Sequence, residues 1–231
     1  SVSGGGYALR LVNNNGSLIF TDSNQATITS EYRGIYANNN GAGALEITTT
    51  GTVTGVTGNG ISAYNSGTDL TIKAAAINSG YAGVYADNSG SGALSITTTG
   101  AVTTGPVRNS RGIFAFNDSS GTKLTIDAVD ITAEGFGIEV LNSGSGALSI
   151  TTTGVVTSRG RDAISAINYN TSPGDLIIHS ASAMGSSDGI DVRQQGLGSV
   201  NITTTGTVIG TRSVGIRVFN GSADAASTTK V

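Results

Sequence analysis

Short stretches in which apolar and polar residues alternate run along the whole chain, and turns rich in glycine and asparagine separate them. The unit that contains Ile35 and Ala37 shows the pattern, since Leu45 and Ile47 repeat the same spacing and Val53 follows after a glycine. Apolar residues at a period of two are typical of a β-strand that buries one face. Each unit therefore predicts three short strands.

The same unit recurs along the chain with its apolar positions in register. Its first aliphatic position is occupied by Leu9, Ile35, Ile61, Val84, Ile113, Ile138, Ile164, Ile190 and Ile216. Four residues later an amide side chain follows, at Asn13, Asn39, Asn65, Asn88, Asn117, Asn142, Asn168, Gln194 and Asn220. A single unit cannot bury its own apolar face, so the units must stack, and stacked amides can hydrogen-bond in a ladder. The pattern predicts an all-β fold, a right-handed parallel β-helix of about nine three-stranded rungs of roughly 26 residues.

Two kinds of rung alternate in this repeat. The sequence Ile-Thr-Thr-Thr-Gly occurs at residues 47–51, 96–100, 150–154 and 202–206. The intervening rungs carry Leu-Thr-Ile or Leu-Ile-Ile, at residues 70–72, 124–126 and 176–178. A β-sandwich would not keep one amide register over all units, and a propeller blade needs four strands and about 40 residues. We expect one solenoid domain over residues 1–231, with a small polar tail, residues 221–231, that frays.

Composition narrows the classes of function. Charged residues make up 12% of the chain and the formal net charge is −3, which does not favour a nucleic-acid partner. No apolar run approaches the roughly 18 residues of a membrane helix. Cysteine is absent, which excludes a disulfide framework and a cysteine-ligated metal site. A cysteine-free chain rich in glycine, asparagine and threonine is typical of a bacterial surface protein that crosses the envelope unfolded.

Two segments carry a resemblance to a known family. Residues 88–100 and 142–154 both read Asn-Ser-Gly-Ser-Gly-Ala-Leu-Ser-Ile-Thr-Thr-Thr-Gly. In this style of repeat, which covers essentially the whole chain, the sequence resembles passenger domains of bacterial autotransporters (type V secretion). It is similar in particular to passengers described as pro-angiogenic, which act on a host vascular endothelial growth factor receptor. The resemblance carries over no catalytic residue.

The resemblance implies a secreted or surface-exposed virulence factor, exported across the outer membrane, whose passenger binds a host cell-surface protein. Membrane attachment is expected only through a C-terminal translocating barrel, which is not visible in this sequence, so we expect a fragment. Alternatives are an adhesin for matrix or anionic glycans without signalling, a polysaccharide-degrading β-helix enzyme, and a passive stalk or self-associating fibre.

The residues do not assemble a recognisable catalytic centre. A nucleophilic triad needs a base beside a serine, and the single histidine, His179, is expected to face outward from its strand. Glu139 and Asp191 share an outward column two rungs apart, about 10 Å, but no basic partner suited to polysaccharide cleavage accompanies them. The acidic run at residues 127–134 leaves calcium binding open. We expect no enzyme activity, no catalytic residue, no cofactor and no metal.

Two outward-facing sets are candidates for partner binding. The first is apolar and consists of Tyr36, Tyr64, Tyr85, Phe114, Phe116, Leu141 and Ile167. The second is a basic corner just before the first strand of each rung and consists of Arg33, Arg108, Arg111, Arg159, Arg161 and Arg212. Exposed apolar patches mark partner sites, and a positive edge steers anionic glycans or acidic receptor domains. The alternatives are aromatic stacking that stabilises the sheet, and solvated arginines of which some pair with Glu31 or Asp162.

Overall fold

The computed structural model describes residues 1–169, 173–221 and 228–231, which form β-strands and turns. In chain order the strands are β1 (Val2–Gly4), β2 (Tyr7–Asn13), β3 (Leu18–Asp22), β4 (Ile28–Ser30), β5 (Arg33–Asn39), β6 (Leu45–Thr49), β7 (Val53–Gly55), β8 (Ile61–Asn65), β9 (Leu70–Ala74), β10 (Ile77–Ser79), β11 (Ala82–Asn88), β12 (Leu94–Thr98), β13 (Val102–Thr104), β14 (Arg111–Asn117), β15 (Leu124–Ala128), β16 (Ile131–Ala133), β17 (Phe136–Asn142), β18 (Leu148–Ser158), β19 (Ile164–Asn168), β20 (Leu176–Gly185), β21 (Ile190–Gln194), β22 (Val200–Thr204), β23 (Val208–Gly210), β24 (Ile216–Asn220) and β25 (Thr229–Lys230). Within these ranges no helix is long and apolar enough to cross a membrane.

The strands coil around one axis and form three faces, each made of parallel strands. Face one is a nine-stranded sheet with the order β2-β5-β8-β11-β14-β17-β19-β21-β24. Face two stacks β3, β6, β9, β12, β15, the first part of β18, the first part of β20, β22 and β25, and face three stacks β1, β4, β7, β10, β13, β16, the last part of β18, the last part of β20 and β23. The two faces are joined into one 16-stranded sheet, because β18 and β20 are long enough to turn the corner between them. Eight turns separate the nine strands of face one, and the predicted right-handed parallel β-helix is confirmed.

The core is a set of aliphatic columns inside the coil. In the rung that starts with β5, Ile35 and Ala37 from face one, Leu45 and Ile47 from face two and Val53 from face three are all 0% exposed. Each of these residues lies directly above and below an apolar residue of the adjacent rungs, which is aliphatic or alanine except for Phe20 beside Ile47. The period-two pattern therefore forms inward-facing columns, as predicted, because the in-register pairing places the apolar residues of successive rungs next to one another.

The side chains of the amide column form a continuous amide ladder at the end of face one. From Asn13 to Asn168, each Nδ2 donates to Oδ1 of the next asparagine at 2.8 to 3.1 Å. The second Nδ2 hydrogen goes to a carbonyl of the following turn, for example from Asn39 to Gly43 at 2.8 Å. The predicted ladder is thus confirmed, and it holds both the stacking of the rungs and the turn after face one.

The last rungs depart from this pattern. Gln194 replaces asparagine, donates from Nε2 to the carbonyl of Gly174 at 2.9 Å, and has an Oε1 without a hydrogen-bond partner in the described ranges. Of the tail that we expected to fray, residues 222–227 lie outside the described residues. Strand β25 follows them, and Thr229 and Lys230 pair in parallel with Val200 and Asn201 of β22.

Three positions that alternation placed on the outer surface are covered. Ser62, Ser165 and Asp191 point away from the core, yet they are 0%, 8% and 6% exposed. At Ser62 the cover includes the preceding turn, since Nδ2 of Asn59 donates to the serine Oγ at 2.9 Å. The outward direction of these side chains does not make them exposed, because alternation fixes the direction of a side chain but not what lies beside it.

We predict that Asn117→Ala lowers the free energy of unfolding by about 2 kcal/mol or more, because it removes the buried hydrogen bonds that join Asn117 to Asn88 and to Asn142. Urea denaturation followed by circular dichroism measures the change. The matched control is Asn40→Ala, which removes a similar bond to Asn14 in an exposed position and should cost less than about 0.5 kcal/mol. Equal losses in the two variants would contradict a special role for the buried ladder.

Candidate functional site

Aromatic rings stack along the outside of face one over five rungs. This aromatic ladder consists of Tyr7, Tyr36, Tyr64, Tyr85 and Phe114. Successive ring centroids lie 5.5, 5.7, 5.5 and 5.0 Å apart, within the range of favourable aromatic pairs. The structure therefore brings four of the predicted apolar residues together and adds Tyr7, which the sequence argument missed.

The ladder is continuous because Tyr64 fills a gap in the column of Tyr36 and Tyr85. The residue in register between those two is Ser62, whose side chain is too short to stack. Tyr64 lies two residues later on the same outward side, and its ring reaches back between its neighbours. A rigid row of rings results, in which each ring limits the rotamers of the next.

The remaining three predicted apolar residues extend the ladder. Phe116, Leu141 and Ile167 are in-register neighbours on β14, β17 and β19, and we call them the apolar strip. Phe116 lies on the same strand as Phe114, so the ladder and the strip form one outer surface. All seven residues are half-buried, which means that stacking and partner binding draw on the same side chains.

Arginines lie over the rings of the ladder and beside it. The Arg33 guanidinium carbon is 5.0 Å from the Tyr32 ring centre and 5.7 Å from that of Tyr36. The Arg111 carbon lies 5.0 Å from the ring centre of Phe114. Such cation–π contacts place positive charge along the edge of an aromatic surface. Tyr32 was not singled out from the sequence, because it lies in a turn outside the strand columns.

A groove of about 420 Å³ opens beside the ladder. Its lining includes Tyr32, Arg33, Tyr64, Tyr81, Tyr85 and Val107. Burial raises the pKa of Tyr64 and of Tyr85 above 10.0, so both phenols remain neutral hydrogen-bond donors at physiological pH. The groove thus offers ring faces, phenol hydroxyls and one guanidinium, a combination that suits a polar partner with apolar surface.

The basic corner divides into paired and unpaired arginines. Arg111 forms an ion pair with Glu139, and Arg159 Nη1 lies 2.5 Å from Glu134 Oε1. The alternative raised from the sequence, pairing with Glu31 or Asp162, is not what the structure shows for these two arginines. Among the described residues, four arginines of the corner have no carboxylate oxygen within 4.0 Å: Arg33, Arg108, Arg161 and Arg212. Arg33 lies over a ring of the aromatic ladder, and we call the other three the unpaired arginines.

Glu139 and Asp191, the two acids considered for catalysis, lie in different environments. Glu139 and Asp191 do share a column, with Ser165 in register between them. Glu139 is held by Arg111, whereas Asp191 is buried. His179 is exposed on face two, as predicted, and belongs to the other sheet. The structure therefore does not bring these residues into one site.

An acidic cluster near the end of face one was missed by the sequence argument. Asp162, Asp188 and Asp191 each place an oxygen within 4.8 Å of the others, and they are the side chains that could hold a cation. Arg217 lies 3.0 Å from Asp188, and Arg193 lies 3.4 Å from Asp191. These two guanidiniums already balance most of the negative charge, which favours an ion-pair network.

Column spacing could have revealed the cluster. Asp162 and Asp188 each stand two residues before the first aliphatic position of their rung, so they stack, and Asp191 follows Ile190. The Asp191 Oδ1 atom is buried and has no hydrogen-bond partner among the described atoms. Burial, opposed by Arg193, raises the pKa of Asp191 above 3.8. The carboxylate form is therefore disfavoured in the folded chain.

We predict that Asp191→Asn stabilises the protein at pH 7. The pKa of Asp191 is higher in the folded than in the unfolded chain. Its ionisation therefore lowers the free energy of unfolding, by an amount that grows as pH rises between the two pKa values and stays constant above them. The gain from the variant should accordingly shrink as pH falls through the raised pKa and vanish below about 3.8. Thermal unfolding across this pH range measures it. Asp127→Asn, at an exposed position, is the control, and an equal gain there would contradict the explanation.

Comparison of the chain with known proteins gives no relative from which a function could be transferred. No protein-family model, no curated protein and no solved structure matches it. A β-helix by itself does not determine function, since one fold hosts many activities. The features of this chain that bear on its function are therefore the aromatic ladder, the apolar strip and the basic corner.

Proposed function

We propose that this chain is the passenger of an exported bacterial virulence factor, which binds a host cell-surface protein through face one. The observation that carries the proposal is the aromatic ladder, a row of five half-buried or exposed rings with arginines at its edge. Aromatic residues and arginine are enriched in the cores of protein interfaces, and tyrosine and arginine are also among the residues that contribute most to binding energy there.

The ladder would bind a partner without a large entropic cost. Its rings are fixed by their neighbours above and below, and the strands that carry them are held on both sides by the sheet. Preorganised side chains lose little conformational freedom when a partner docks, so more of the contact energy appears as affinity. A flat, rigid face that spans several rungs suits a folded receptor domain.

The partner class follows from charge and from the sequence resemblance. Arg10 and Arg33 both lie over Tyr36, and they would favour a receptor surface with acidic residues. The resemblance to pro-angiogenic autotransporter passengers makes the ectodomain of an endothelial growth factor receptor the first partner to test. On this proposal the protein is a receptor-activating ligand that is secreted or displayed at the bacterial surface.

The test is surface plasmon resonance of the chain against purified ectodomains of endothelial growth factor receptors. We expect saturable binding, and a loss of about tenfold or more when Tyr85→Ala is combined with Phe114→Ala, because hot-spot rings each contribute more than about 1.4 kcal/mol. Thermal unfolding verifies that the double variant is folded.

The control is Phe219→Ala, which removes an exposed ring from the same face, in the column of Phe116 but separated from the apolar strip by Arg193. It should leave the affinity unchanged. Absence of binding to every ectodomain would reject the receptor class. Undiminished binding by the folded double variant would instead reject the ladder as the contact surface.

A further inference from the structure

The three unpaired arginines of the basic corner surround one concavity. Arg108, Arg161 and Arg212, all exposed, line a depression of about 320 Å³. The remaining lining residues are small and mostly carry hydroxyl groups: Gly160, Ser186, Ser187 and Ser213. The depression therefore offers hydrogen-bond donors and positive charge, and its surface is mostly polar.

The three unpaired arginines form no ion pair, although acidic residues are close to them in the sequence. Glu134 is engaged by Arg159, and Oδ1 of Asp162 accepts a hydrogen bond from the backbone of Asp188. The Arg161 guanidinium carbon lies 5.6 Å from the ring centre of Phe136, which orients the side chain without neutralising it. Exposed like charges repel one another, so an arrangement of three without a carboxylate partner favours binding of an anion.

The three unpaired arginines come from three different rungs. Arg108 precedes β14, Arg161 precedes β19 and Arg212 precedes β24, so each is two rungs from the next along face one. The turn that carries Arg108 reaches the rung of Arg161, because a Cβ placed at Gly160 would lie 3.6 Å from the Arg108 carbonyl oxygen. Arginines from three rungs thus line one depression, which suits a polymer that presents several negative groups to the same site.

The floor of the depression depends on glycine at position 160. A Cβ placed there would lie 2.4 Å from the carbonyl oxygen of Glu134 and would also approach that of Arg108. Any larger residue would push these turns apart and fill the space between the arginines. The close approach of the turns is what brings Arg108 into line with Arg161 across the intervening rung.

We infer that this depression binds the sulfate groups of a linear sulfated glycan. A guanidinium donates two parallel hydrogen bonds to a tetrahedral oxyanion, and it is weakly hydrated, so it binds sulfate better than an ammonium group does. Hydroxyl groups of Ser186 and Ser187 can donate to the remaining sulfate oxygens. A depression lined by Gly160, Ser186, Ser187 and Ser213 between the arginines suits a sulfate-bearing segment better than a broad anionic surface such as a membrane.

This site is separate from the aromatic ladder and goes beyond the proposed receptor binding. The chain would hold a cell-surface glycan along the corner while face one stays available to a protein partner. Because the two surfaces use different residues, receptor binding and glycan binding can be abolished separately by mutation and tested separately.

The experiment measures binding of the chain to immobilised heparin, with desulfated heparin as the comparison. We expect saturable binding to heparin that is at least about tenfold weaker on the desulfated polymer. The triple variant Arg108→Ala, Arg161→Ala and Arg212→Ala should lose about tenfold or more in affinity, since each removes a charge-assisted contact. All three positions are exposed, so thermal unfolding should be unchanged.

The matched control removes the same amount of positive charge elsewhere. Lys73, Lys123 and Lys230 are exposed on or beside face two, and their triple alanine variant should keep heparin binding. Equal losses in both triple variants would overturn the site in favour of bulk charge. Equal binding to desulfated heparin, or to vesicles of phosphatidylserine at the same salt concentration, would overturn the assignment to sulfate groups.

The receptor proposal is distinguished within the same set of proteins. The variant with Tyr85→Ala and Phe114→Ala should bind heparin as the unaltered chain does. The arginine variant should still bind the receptor ectodomain when heparin is absent. Loss of heparin binding in the ladder variant would overturn the separation of the two sites.

Discussion

The in-register stacking of one rung on the next is the constraint on which the rest of the structure depends. Each rung is too short to bury an apolar face, so its core exists only where the neighbouring rungs supply it. Parallel pairing aligns like residues, which turns a repeat in the sequence into columns in space. The core columns and the amide ladder follow this register directly, and the aromatic ladder and the basic corner are built from side chains that it brings near one another.

The amide ladder protects that register. A slip by one residue would exchange inward and outward side chains, and it would also leave buried amides unpaired. Loss of the register therefore costs free energy for both of these reasons. Such a lattice is rigid along its length, which is what allows an outer column such as the ladder from Tyr7 to Phe114 to serve as a preformed surface.

Function on this scaffold depends on which outer residues find partners inside the molecule. Arg111 and Arg159 are satisfied by glutamates, and Asp188 by Arg217, so these charges contribute to the fold. The rings of the aromatic ladder are only partly covered by neighbouring side chains. The unpaired arginines have no carboxylate partner among the described residues. The two sets that keep unused binding capacity lie on adjacent surfaces, which suits a protein that engages a receptor and a glycan at the same cell.

Sequence alone determined the fold class, the rung boundaries and the inward columns, because each inward position repeats at almost constant spacing and stacking requires like to meet like. It also placed the seven apolar residues on one face. Only the tertiary structure decided that Tyr64 closes the gap over Ser62, that Asp191 is buried, and that three arginines remain unpaired. Those outcomes depend on side-chain length, on the path of the turns and on contacts between rungs, which the pattern of residues in the repeat does not specify.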